Sequence, residues 1–126
     1  PLEQVEPVMR REELIAAIAR VRQVHVDDQI YDYIARLAEV TRTHPLLKLG
    51  ISPRGALALC RTGKARAFAE GRDFVVPEDV TQMAEYVFAH RLMLSSKARL
   101  NEYTPEAIVA EVLAQTQPPV LSERRA

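Results

Sequence analysis

Apolar residues recur every three or four positions in five segments of the chain, which is the spacing of one face of an α-helix. The five segments are residues 11–23, 27–42, 52–70, 77–92 and 104–115. No segment alternates apolar and polar residues over the length that a half-buried sheet requires. The pattern therefore predicts an all-α protein, a small bundle of about five helices with at most a short extended piece.

Several of these segments open with residues that favour a helix start. Ser52-Pro53 and Thr104-Pro105 each offer a hydroxyl as N-cap before a proline at the first helical position, and Pro77 is followed by two acidic residues. Gly71 suits the left-handed residue that ends a helix. We expect packed or polar connectors elsewhere, one helical domain over residues 1–116, and a flexible tail over residues 117–126.

Composition limits the possible functions. Of 126 residues, 48% are apolar and 27% charged, and 17 basic residues balance 17 acidic ones. The strong positive field of a dedicated nucleic-acid binder is therefore missing. Cys60 is the only cysteine, and neither a membrane span of about 20 apolar residues nor a signal peptide is evident. We expect a cytoplasmic protein, and a start at Pro1 without methionine suggests a fragment.

The chain lacks the usual catalytic motifs. Its Gly-Lys pair, Gly63-Lys64, has neither the earlier glycine nor the following hydroxyl of a P-loop, and it falls inside a predicted helix. No nucleophile motif lies near any of the three histidines, and no His or Cys spacing indicates a metal site. We expect no catalytic residue and no metal ligand within this chain, so the fragment alone is not expected to be an enzyme.

Arg54 is the residue with most chemical interest. It follows Ser52-Pro53 directly and so lies in the first turn of the third helix, where the helix dipole disfavours a cation by about 0.3 to 1 kcal/mol. A nearby anion would reverse that penalty, since unpaired backbone N–H groups and a guanidinium together form an anion site. The alternative is an exposed arginine that pairs with a carboxylate or with solvent. Gly55 is expected to loosen this turn.

The basic residues downstream allow two interpretations. Lys64, Arg66 and Arg72 either form a basic face toward a partner or are solvated charges on a helix exterior. Tyr31 and Tyr33 point to different sides of the second helix, so at most one of them belongs to the core.

A set of ordered motifs resembles the C-terminal lid of MoxR-family AAA+ ATPases. The resemblance covers residues 8–94. The motifs are Gly50-Ile51-Ser52-Pro53-Arg54-Gly55-Ala56-Leu57, Lys64-Ala65-Arg66-Ala67, Gly71-Arg72-Asp73-Phe74-Val75, Pro77-Glu78-Asp79-Val80 and His90-Arg91-Leu92, with Val21-Arg22-Gln23-Val24-His25-Val26-Asp27 upstream.

The resemblance implies a role for Arg54 as the second-sensor arginine, which reaches from the lid to the phosphates of a nucleotide bound on a separate P-loop core. Ser52 and Pro53 would support the helix start. ATP and Mg²⁺ would bind the full-length parent, an ATPase, and neither is expected to bind this fragment tightly. The implied partners are that core, a homo-oligomeric ring (hexamer) and a von Willebrand factor A domain protein, and the implied activity is chaperone-like assembly or maturation of protein complexes.

A second class of function stays open at this point. The second and third helices could form a helix-turn-helix in a free-standing DNA-binding or transcription-regulatory domain. The connector of residues 43–51 is longer than the usual turn, however, and the third helix does not begin with residues that typically read bases.

Overall fold

The computed structural model describes residues 1–121. In this range six α-helices and two short strands follow one another, and the predicted all-α class is confirmed. The elements are α1 (Arg11–Arg22), α2 (Asp28–Arg42), β1 (Leu47–Leu49), α3 (Pro53–Ala69), α4 (Pro77–Phe88), β2 (Met93–Leu94), α5 (Ser96–Leu100) and α6 (Pro105–Gln115), with 3₁₀ turns at Leu2–Gln4 and Ala89–Arg91.

The predicted helix starts are confirmed by their capping bonds. The Ser52 hydroxyl accepts from the Gly55 N–H at 3.2 Å, and the Thr104 hydroxyl accepts from the Ala107 N–H at 3.1 Å. Prolines occupy the first position of α3, α4 and α6. Each cap satisfies a backbone donor that the helix itself leaves free.

Two connectors contain more structure than the pattern predicted. α5 forms where a connector was expected, because Ser95 caps it and Ala98 is fully buried. α4 ends at Phe88, earlier than the predicted 92, because the chain passes through a 3₁₀ turn into β2. β2 pairs antiparallel with β1, with Leu94 opposite Leu47.

The core lies between α2, α3, α4 and α6. Its largest fully buried apolar side chains are Tyr33, Phe88, Ile30, Leu37, Ile51, Leu59, Ile108, Val80, Val109 and Val112. Tyr33 is fully buried whereas Tyr31 is 48% exposed, so the expectation that only one of them is core is confirmed.

His44 holds the connector between α2 and β1 against the bundle. Its side chain is buried, Nδ1 accepts from the Leu46 N–H at 3.1 Å, and Nε2 lies 3.4 Å from Oε2 of Glu111 on α6. Both ring nitrogens of His44 therefore have partners, which gives this histidine a structural role.

The end of the described chain stays close to the core. The Gln117 carbonyl accepts from Arg36 at 3.1 Å, and Leu121 is partly buried against the core. The rest of the tail that we predicted to be flexible, residues 122–126, lies outside the described residues. None of the helices within residues 1–121 is long and apolar enough to cross a membrane.

Candidate functional site at the start of helix α3

Arg54 is the second residue of α3, and its side chain is exposed. Within residues 1–121 it forms no ion pair and no side-chain hydrogen bond. A cation at the positive end of a helix dipole, with no carboxylate beside it, is unfavourable in the isolated domain. The position therefore favours an anion supplied from outside this domain.

The residues just before Arg54 are fixed to the end of α2. The backbone N–H of Ile51 donates to Oγ1 of Thr41 at 2.8 Å, and the Ile51 carbonyl accepts from Nε of Arg42 at 2.8 Å. Ile51 itself is 1% exposed. Arg54 is thus presented from a turn that the end of α2 holds in place.

Two glycines allow this close packing. A Cβ on Gly50 would lie 2.6 Å from backbone atoms of Thr41 and Arg42, and one on Gly55 would lie 2.9 Å from Cγ2 of Ile51. A Cβ on Gly55 would also lie 3.3 Å from Cδ of Arg91. Gly55, which was expected to loosen the turn, instead lets Ile51 and Arg91 pack directly against it.

A basic cavity of about 510 Å³ opens beside this turn. Its cationic lining is Arg42, Lys48 and Arg91, and no carboxylate lines it. Arg42 and Arg91 each donate Nε to a backbone carbonyl, those of Ile51 and Val87, and within residues 1–121 none of the three cations forms an ion pair. The cavity and Arg54 together give this end of the bundle a positive field suited to an anion.

Sequence reasoning missed the cavity residues. Arg42 and Arg91 lie 12 and 37 positions from Arg54, and only the tertiary fold brings them to the start of α3. The available signal was the presence of Arg91 in the His90-Arg91-Leu92 motif, whose side chain lies close to Gly55 of the Gly50–Leu57 motif.

Arg66 and Arg72, in contrast, belong to a structural ion-pair cluster. Arg72 binds both carboxylate oxygens of Asp79 at 2.7 Å, and Arg66 binds Oδ1 at 2.7 Å. Asp79 is fully buried, and Oδ2 also accepts from the Val76 N–H at 2.8 Å. Neither a basic face toward a partner nor solvated charge on a helix exterior describes these two arginines: they join the end of α3 to the start of α4.

The cluster shifts the pKa of both partners. Burial alone would raise the pKa of Asp79, but the hydrogen bonds from Arg72, the Val76 N–H and Arg66 outweigh it and hold that pKa below its usual value. The hydrogen bond to Asp79 raises the pKa of Arg72. Both groups are therefore charged at neutral pH.

The other chemical candidates lie apart from one another. Gly63 is buried in the middle of α3, and Lys64 donates Nζ to the Arg22 carbonyl at 3.1 Å. The backbone of His25 bridges to Phe74, His44 contacts α6, and His90 is exposed. Within residues 1–121 no group of three or more His, Cys, Asp and Glu side chains could hold a metal ion.

A comparison with known protein families identifies the class of protein to which this helical bundle belongs. The model of the AAA lid domain matches residues 39–112, and the chain belongs to that family. The YeaC protein of Bacillus subtilis is 38% identical over 120 residues, covering 95% of this chain and 38% of that protein. The chaperone MoxR1 of Mycobacterium tuberculosis is 32% identical over 97 residues, covering 70% and 26%. The chain is the lid domain of a MoxR-type AAA+ ATPase.

A solved structure has the same fold. It is a crystal structure from Cytophaga hutchinsonii, described as that of a candidate ATPase, with a TM-score of 0.86 and 25% identity over 93% of this chain. That match spans 38% of the other chain, and this chain spans 38% or less of the curated relatives named above. The DNA-binding alternative has no such support, and a connector that contains β1 separates α2 from α3 where a helix-turn-helix has a short turn.

Proposed function

We propose that this lid completes the ATP site of a separate P-loop core and that Arg54 is its contact with the nucleotide. The observation that carries the proposal is the exposed guanidinium at the second position of α3, which has no counter-ion within residues 1–121. A triphosphate held by the core would supply the missing negative charge.

The chemistry of Arg54 fits this role. Its planar guanidinium is always charged and can donate two parallel hydrogen bonds to phosphate oxygens. Bound ATP with Mg²⁺ would supply the phosphoryl group that is transferred to water, and Arg54 would stabilise the charge on its terminal oxygens. Arg42, Lys48 and Arg91 would add to the positive field beside it.

The rigid turn makes Arg54 a sensor as well as a ligand. Hydrolysis and phosphate release remove the anion that Arg54 binds. Arg54 would therefore stabilise bound ATP more than bound ADP. Because Ile51 and Gly55 fix the turn to α2 and to Arg91, a force on Arg54 would move the bundle as one body. Lid movement would then transmit the effect of ATP hydrolysis to the rest of the parent protein.

The name of one relative supports a proposal for the wider role of the parent protein. One of them is named a chaperone. We propose that the parent of this lid forms a ring, a hexamer as in other AAA+ proteins, and couples ATP hydrolysis to assembly or maturation of protein complexes with a von Willebrand factor A domain protein as partner.

The test is ATP turnover by the full-length parent with Arg54→Ala. Loss of a charge-assisted hydrogen bond to the phosphates should lower turnover at least about tenfold. Arg99→Ala is the matched control, because Arg99 is also an exposed arginine but lies on α5 rather than in the first turn of α3, and the change should leave turnover unchanged. Equal turnover for Arg54→Ala and wild type would remove Arg54 from the mechanism.

A further inference from the structure

Helix α1 has an apolar stripe that the described residues leave uncovered. Leu14, Ile15 and Ile18 are 51%, 52% and 47% exposed, and α1 contains no buried residue. Among residues 1–121, seven of the 15 exposed large hydrophobic residues lie within the first 18 positions. Such a concentration on one helix and its leading segment is typical of an interface rather than of scattered surface residues.

The stripe forms one wall of a groove against α3. The groove has a volume of about 730 Å³ and is mainly apolar, with Leu14, Ile18 and Val21 on α1 facing Ala65 and Phe68 on α3. An apolar side chain from a partner would bury the apolar walls of the groove and would remove little polar surface from water, so its binding there is favourable.

The rim of the groove indicates the charge of its occupant. Arg22, Arg61 and Lys64 line it, and no acidic residue does. The complementary surface is therefore an apolar ridge flanked by carboxylates.

The groove opens on the side of α3 that carries Arg54. Arg54, Leu57, Arg61, Ala65 and Phe68 follow one another at intervals of three or four and so share one face of the helix. The buried residues Gly55, Leu59, Gly63 and Ala67 form the opposite face. A body that supplies a nucleotide to Arg54 would approach the same face that forms the groove.

We propose that this groove is the docking seat of the P-loop core of the same polypeptide, which inserts an apolar, acid-flanked segment between α1 and α3. The inference rests on the proposed function for the identity of the core. The curated relatives are long enough to contain such a core, since this chain spans 38% or less of each one named here. Attachment within one chain would also give the core a high effective concentration at the groove.

The test is backbone hydrogen exchange over residues 11–22 in the full-length parent and in this 126-residue chain. Docking should slow exchange in the parent at least about tenfold relative to the chain alone, because docking opposes local opening of α1. Leu14→Asp should remove this protection in the parent. Leu100→Asp, the same change at an 83% exposed leucine on α5, should retain it.

Folding and docking can be separated in this experiment. Because Leu14 is half exposed, Leu14→Asp should leave the Tm of the 126-residue chain within about 3 °C of wild type. Equal exchange over residues 11–22 in parent and chain would overturn the proposal. Protection that appears only in an assembled ring, and not in a monomeric parent, would assign the groove to a neighbouring copy and would also overturn it.

The outcome is independent of the role of Arg54. If Arg54→Ala leaves turnover unchanged while α1 remains protected, the nucleotide contact fails and the docking seat stands. If Arg54→Ala abolishes turnover while α1 is unprotected, the docking seat fails and the nucleotide contact stands.

Discussion

A hydrogen bond between Thr41 and Ile51 joins the end of α2 to the segment just before Arg54. Oγ1 of Thr41 accepts the backbone N–H of Ile51 at 2.8 Å, and both residues are 1% exposed. The same hydroxyl donates to the carbonyl of Ala38. One side chain therefore fixes the segment that leads into the first turn of α3, which carries Arg54.

Thr41→Val should destabilise the domain by about 2 kcal/mol. Valine keeps the shape of threonine but leaves the buried Ile51 N–H without its acceptor, which costs about 1–3 kcal/mol. Chemical denaturation of the 126-residue chain measures the change. Thr43→Val is the control, because exposed Thr43 makes only a long contact of 3.5 Å with Val40, and it should have little effect. Equal stability of the two variants would contradict the assigned role of Thr41.

Two glycines of α3 should respond oppositely to alanine. Gly63→Ala should stabilise the domain by about 0.5–1 kcal/mol, because its Cβ would meet Val75 and Val80 at 3.8 and 4.0 Å while alanine favours the helix. Gly55→Ala should destabilise it by about 1 kcal/mol, because overpacking against Ile51 exceeds the gain in helix propensity. Thermal unfolding of both variants gives the comparison, and stabilisation by Gly55→Ala would show that the turn is not closely packed.

Removing the charge of Asp79 should be the most damaging of these changes to stability. Asp79→Asn leaves Arg66 and Arg72 without their carboxylate, and breaking a buried pair costs about 3–5 kcal/mol. The lower end applies, because the two arginine side chains remain 22% and 24% exposed. Glu78→Gln is the control, since Glu78 is 66% exposed and 3.9 Å from Arg66. A similar small effect of both variants on the denaturation midpoint would contradict the structural role of the cluster.

Stability should fall in acid for the same reason. The pKa of Asp79 is lower in the folded than in the unfolded protein, where it is about 3.9. Its contribution is therefore present above about pH 4 and is lost as the pH falls through the lower, folded value. Denaturation midpoints between about pH 6 and pH 2 should show a smaller acid loss in Asp79→Asn than in wild type. Parallel curves would mean that Asp79 is not held ionised.

The helix starts could be predicted from sequence because their causes are local. Ser52 and Thr104 cap within three residues, and prolines at the first helical position act through their own ring. Arg54 could be singled out for the same reason, as its place relative to Ser52-Pro53 is a matter of neighbouring residues.

The remaining features depend on residues that are distant in sequence. The apolar pattern of α1 predicted a helix, but a pattern does not say whether a stripe is covered, and this one is exposed. α5 has only five residues, too few for periodicity to show. Gly55 resembled a weak point in its helix until Arg91, 36 positions later, was seen to pack on it.

The central claim concerns discrimination between nucleotides, and the most direct measurement is the ratio of affinities for a non-hydrolysable ATP analogue and for ADP in the full-length parent. If Arg54 binds the terminal phosphate, Arg54→Ala should reduce the preference for the analogue at least about tenfold, the effect of about 1.4 kcal/mol. Arg99→Ala should retain the wild-type ratio. An unchanged ratio in Arg54→Ala would contradict the account, because Arg54 would then not distinguish the two nucleotides.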